Sequence, residues 1–315
     1  MTAGDNQEDT PPYRIKSAAG AMKDFGGIRR LELPLPFPPG SIHAYLVPQE
    51  EGWILVDCGM DLPNTVSAYE SAGIRLSDIR QTLLTHVHPD HSGLAARIRE
   101  WSGAPVRMHH REESALKSLR EPEHWLGWQD ETLRQAGVPS PMRVRIEVAS
   151  LGLRRLFPNM PADSYIDDGD VIPTSLGPMR AMLTPGHSPG HLCFYLPEAK
   201  ILLTGDQLLK PRTPHLEWDA EGCALAEFRA SLEDLARLDV ECVLPSHGQA
   251  FRDHTVRIEF LLEHSRRMAA QICSLRAGGI ESPHDLARAF WKRPMNAFEH
   301  RNAVFEMLAY LQHPD

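Results

Sequence analysis

In the stretch TLLTHVHPDHSGLA, residues 82–95, three histidines and an aspartate fall within six positions: His86, His88, Asp90 and His91. His86 and His88 are two apart, so a chain still extended as it leaves a strand projects both imidazoles to one side. Asp90 and His91 are adjacent and must diverge, and Pro89 turns the chain between the two pairs. Such a set suits two metal ions a few ångströms apart better than one. Further ligands are then expected at the ends of later strands. His187 follows the strand-like RAMLTP, Asp206 ends KILLTGD, and His247 follows ECVLPSHG, each beside a glycine that lets the backbone crowd a metal. His86, His88 and His187 would form one nitrogen face, with Asp90, His91 and His247 forming the second site. Asp206 would bridge the two. Imidazole and carboxylate oxygen suit zinc, and an open position for water is the mark of a catalytic site.

The elements that must position these residues alternate. IRRLELPLP, IHAYLVP and GWILVDCG are strand-like, DLPNTVSAYESAG is helical, IRQTLLTH suits a buried strand, and SGLAARIREWSG is an amphipathic helix with Ser92 as its expected N-cap. APVRMH is a further short strand, and the βαβα order argues for a layered α/β domain. Residues 110–162 interrupt that rhythm with helical segments such as SALKSLR and DETLRQAG, and read as an insertion. Strand rhythm resumes in GPMRAMLTPGH, HLCFYLPEAKILLTGD and VECVLPSHG. After Gly248 the chain reads as helical, with Ile258, Leu261, Leu262, Met268, Ala269, Ile272 and Leu275 on one face of the first helix. The expected division is a catalytic domain at 1–250, carrying the helical insertion 110–162, and a C-terminal helical region at 251–315.

Bulk properties narrow the function. A net charge of −9 over 315 residues disfavours nucleic-acid and anionic-membrane partners. No apolar run approaches the roughly 18 residues of a membrane span. The polar start, MTAGDNQEDTPPYRIK, lacks a secretory pattern, and the first 14 residues are expected to fray. Five scattered cysteines without a CxxC pair read as reduced, making the cytoplasm the expected location.

The segments THVHPDHSG, TPGHSPGH, LLTGDQL and LPSHG, with VDCG before them, resemble the metallo-β-lactamase superfamily, in particular its glyoxalase II-like and β-lactamase-like-2 members. The resemblance covers residues 27–250. It implies an αββα sandwich with metals at one edge, and it carries the same seven ligands across by motif. It also implies that Asp57 orients a ligand and that His191 stands just outside the metals. His43 occupies a position where the family more often has Asn. Residues 253–311 are similar to a C-terminal region that is often a winged helix. The chain ends too soon for a two-stranded wing, which favours packing, dimerisation or covering the site.

The expected chemistry is attack by a hydroxide bridging two divalent ions, zinc first with iron or manganese as alternatives, with Asp90 handling a proton. The expected substrate is a small-molecule ester, thioester or lactone. Phosphodiester or RNA hydrolysis is the alternative within hydrolysis; a metal-dependent oxidoreductase and a non-catalytic metal protein lie outside it. His88 argues against the oxidoreductase, since flavodiiron relatives place Glu there. Trp125, Leu126, Trp128, Leu151, Leu153, Leu156 and Phe157 of the insertion could wall an apolar pocket, or else form the insertion's own core. Arg143, Arg145, Arg154 and Arg155 could steer an anionic substrate, or else be a solvated face. Cys58 and Cys193 are expected to be small buried residues rather than nucleophiles.

Overall fold

A computed structural model describes residues 20–218, 220 and 222–312; the expected fraying of residues 1–14 lies outside them. The first half contributes β1 (Met22–Phe25), β2 (Ile28–Pro34), β3 (Ser41–Gln49) and β4 (Gly52–Val56), then α1 (Pro63–Ser71), β5 (Ile79–Leu83), α2 (Pro89–Ser92), α3 (Ala95–Ser102) and β6 (Val106–Met108). Three helices follow, α4 (His110–Arg120), α5 (Pro122–Gln135) and α6 (Ser140–Arg154). The second half contains β7 (Ser164–Tyr165), β8 (Val171–Thr174), β9 (Gly177–Leu183), β10 (Leu192–Leu196), β11 (Ile201–Gly205), α7 (Ala224–Ala236) and β12 (Cys242–Pro245). It closes with α8 (His254–Ala277), α9 (Pro283–Trp291) and α10 (Ala297–Gln312).

The strands form two sheets, one of seven in the order β1 to β7 and one of five in the order β12-β11-β10-β9-β8. Strand alternation builds the layers. In β10, Leu192, Phe194 and Leu196 enter the core between the sheets, whereas Cys193 and Tyr195 face the helices outside. β4 divides in the same way: Ile54 and Val56 face the other sheet, and Leu55 faces the first helical layer with Tyr69 of α1 and Ile98 of α3. Every one of these side chains is buried, each contributing roughly 1.5–3 kcal/mol by area. This is the αββα sandwich the sequence implied. The two sheets are tied at one edge, where Tyr45 Oη donates to Pro245 O at 2.6 Å and His43 N donates to Ser246 O at 2.8 Å.

The outer helices of the second sheet share one core. Leu133, Val138 and Ile146 of the α5–α6 segment meet Leu232 of α7, Ile258, Leu261 and Ile272 of α8, Leu286 of α9 and Val304 of α10 against Cys193 and Leu202. Among the described residues no strand follows β12. Ser92 departs from expectation. It ends the short α2 rather than capping α3, whose preceding residue is Leu94. Its hydroxyl instead donates to Val87 O at 2.8 Å, with His88 O, which already accepts from His91 N and Ser92 N, at 3.1 Å.

Candidate metal centre

All of the expected site residues follow strands whose C-terminal ends meet at one edge of the sandwich. β4 and β5 run parallel and deliver Asp57 and the His86–His91 turn; β11 and β12 run parallel and deliver Asp206 and His247. The loop after β9 delivers His187. Gly205 makes this convergence possible. Its φ is +49°, and a Cβ there would lie 2.5 Å from His191 Nε2 and 2.9 Å from Thr85 Cβ.

Three nitrogens face a common point: His86 Nε2 and His88 Nδ1 are 2.9 Å apart, and His187 Nε2 is 3.2 Å from each. Their outward nitrogens set the lone pairs inward. His187 Nδ1–H donates to His215 O at 2.7 Å. The Thr85 hydroxyl spends its one proton on Asp57, so at 3.0 Å it accepts from His86 Nδ1–H. His88 Nε2 stands 3.6 Å from the Glu217 carboxylate. Burial pushes His86 well below the usual imidazole range and, with His88 beside it, lowers His187 to about 4. Burial works the same way on His88, but Glu217 overrides it and raises the pKa.

The second group forms around Asp90, with His247 Nε2 at 3.3 Å and His91 Nε2 at 3.8 Å from its Oδ2. His247 Nδ1 donates to Ser41 O at 3.0 Å, and His91 Nδ1 donates to Asp57 Oδ2 at 2.8 Å. Asp57 is locked in turn by Thr85 N at 2.9 Å, the Thr85 hydroxyl and Ser246 Oγ. Its φ of +56° brings the carboxylate under the His91 ring. Asp206 lies between the groups, with Oδ2 3.8 Å from His187 Nε2 and 3.6 Å from His247 Nε2, and Oδ1 3.6 Å from His91 Nε2. His191 stands behind it, accepting from Asp206 N at 3.2 Å.

The arrangement fits divalent cations on its own terms. His91 Nε2 and Asp206 Oδ1 are buried with no hydrogen-bond partner, a costly state unless another group pairs with them. Burial would raise both aspartates, yet His91 and His247 bring Asp90 down to about 2 and hold Asp206 well below the usual carboxylate range. Two ionised carboxylates with five inward-facing imidazoles form the oxygen and nitrogen set that zinc accepts. His109, His110 and Asp167 also cluster, but this group is chemically different. His109 Nδ1 accepts from Arg111 N at 3.2 Å at the start of α4, so its Nε2 carries the proton and has no lone pair to give.

The insertion residues divide. Leu156 and Phe157 pack against the core beneath the first sheet, and Trp128 stacks at 13° on Trp218 with Phe305 at its edge. Arg143 pairs with Asp130 at 2.7 Å and Arg154 donates to Arg120 O at 3.2 Å, so both fasten the insertion instead of steering an anion. Sequence reasoning missed Thr85 and Glu217. Thr85 adjoins the HxHxDH motif, whereas Glu217 sits in irregular chain with no spacing signal.

The sequence profile described as Metallo-beta-lactamase superfamily matches residues 37–247. This chain belongs to that superfamily. It is similar to the Thermus thermophilus metallo-beta-lactamase family protein TTHA1429, with a TM-score of 0.81 and 26% identity, covering 92% of this chain and 93% of that one. It is 26% identical over 291 residues to the probable metallo-hydrolase YqjP of Bacillus subtilis, covering 85% of this chain and 82% of the relative. A shorter match, 28% over 136 residues, links it to the atrochrysone carboxyl ACP thioesterase of Aspergillus fumigatus, covering 43% of this chain and 41% of that protein. The superfamily's fold implies divalent metal ions, and the chain is a hydrolase of this class.

Proposed function

We propose that the chain is a dinuclear metal-dependent hydrolase of a small-molecule ester, thioester or lactone. The observation that carries this reading is the buried pair His91 Nε2 and Asp206 Oδ1, 3.6 Å apart and without a hydrogen bond, between two groups of inward-facing side chains. His86, His88 and His187 would hold one ion, and Asp90, His91 and His247 the other. Asp206 would serve both. When bound, two such ions supply a water acidic enough to attack at neutral pH and a Lewis acid for the substrate oxygen. Asp57 fixes the His91 tautomer through Nδ1. Asp90, less buried than His91 and ionised, receives or returns a proton at its carboxylate. Neither buried cysteine competes as nucleophile, because burial pushes the Cys58 thiol far up and the Cys193 thiol to about 12.

Small acyl substrates are favoured over nucleic acid by the Glu217 carboxylate, one-third exposed beside His88, and by the net charge of −9. The name of the fungal relative puts thioesters first among them. The test is a panel of thioesters, aryl esters, lactones and bis-phenyl phosphates assayed across a salt series, with the Asp206→Ala variant alongside. Acyl turnover that varies little with salt, vanishes with chelator and falls at least about 100-fold in the variant is expected. Chelator-resistant turnover, or RNA cleavage that collapses with salt, would overturn the reading.

A further inference from the structure

Glu112 lies at the start of α4, inside the inserted segment and outside every motif, yet its carboxylate is 1% exposed. Oε2 accepts from Val87 N at 2.9 Å. Oε1 accepts from Ser188 Oγ and Gly190 N, both at 2.7 Å. Val87 stands between His86 and His88; Ser188 directly follows His187. One carboxylate therefore grips two ligand-bearing loops, one from each sheet. The grip is close as well as polar, since a Cβ on Gly190 would lie 2.9 Å from Glu112 Cγ and from Glu112 N. α4 is itself fixed by Leu116 in the core and by Arg111 reaching Pro189 O at 3.4 Å.

We propose that Glu112 is a positioning residue that presets the three-histidine face by clasping its two loops together. This rests on the metal reading above. A buried carboxylate survives only when its lone pairs are taken up, and three donors within 3 Å do that. An apolar residue of equal size would leave Val87 N–H and Gly190 N–H buried and unpaired. Glu112→Gln keeps the shape but turns an amide N–H2 toward a backbone N–H at one loop, so one half of the clasp opens. Glu112→Asp keeps the charge and falls one methylene short.

The test uses the full chain reconstituted with Co2+, titrated with a competing chelator and followed by its visible absorption. The band missing in His187→Ala marks the ion at the three-histidine face. In Glu112→Gln that ion should bind about 10–100-fold more weakly with a shifted band, while the ion at Asp90, His91 and His247 stays near wild type. Glu112→Asp should show the same selective loss. Wild-type affinity and spectrum for both ions in Glu112→Gln would overturn the clasp, as would equal weakening of both ions or failure of both variants to fold. A wild-type protein lacking the band assigned through His187 would instead overturn the metal reading itself.

Discussion

At the residue scale, the seven expected ligands were legible because each stands in a short motif at or just beyond a strand end, and strand ends are what the topology gathers. Asp57, in VDCG, was legible only through the family resemblance. Glu112 and Glu217 were not. Glu112 sits in HREESALKSLR, where a glutamate reads as a solvated helix residue, and only the tertiary fold brings it to two loops. His43 carries a separate consequence. Burial, helped by Arg30, lowers it to about 3, while its Nδ1 faces Pro245 O at 3.2 Å. The unfolded chain therefore binds this proton more readily than the folded one. The stability this residue allows is complete above about pH 6.5 and drains as pH falls toward 3. His43→Asn, which can still donate to Pro245 O, should be less acid-sensitive by about 2–3 kcal/mol at pH 4.5. Denaturant unfolding of the metal-free proteins at pH 7.5 and 4.5 measures the difference; parallel losses in both would show that His43 does not carry the proton.

At the scale of elements, parallel pairing does the positioning. β4 with β5 and β11 with β12 end at the same edge, so side chains up to 161 positions apart, His86 and His247, reach that edge without any local signal linking them. The strand character of these segments could be read from sequence; the partnering could not, because it depends on long-range packing. Ser92 shows the same limit at a boundary, its hydroxyl donating backwards to Val87 and His88 instead of capping forwards. The end of β11 is tightly constrained. Gly205→Ala would add strain at a positive φ and force its methyl onto His191, which supports Asp206 N. An expected loss of about 2–4 kcal/mol in denaturant unfolding should accompany weaker metal retention. Unchanged stability and metal content would show that the His191 support is dispensable.

For the whole molecule, the α5–α6 part of the insertion, α7 and the three C-terminal helices form one shared core on the outer face of the second sheet. We propose that the boundary near residue 250 is a boundary of pattern, with the last three helices acting as part of the scaffold behind the catalytic domain. Arg301 of α10 donates to Gln129 of α5 at 2.9 Å, joining the two helical segments directly. The helical character of both was readable from sequence, but not their mutual packing, since apolar periodicity shows which face is buried without naming its partner. Among the described residues no helix is long and apolar enough to cross a membrane. At the metal edge His91 Nε2 and Asp206 Oδ1 are buried without a hydrogen bond. Anomalous X-ray diffraction at the zinc edge, from crystals grown with zinc, tests this most directly. The account predicts two peaks per chain, one against His86, His88 and His187, the other against Asp90, His91 and His247, with Asp206 touching both. A single peak, or density away from these seven side chains, would contradict it.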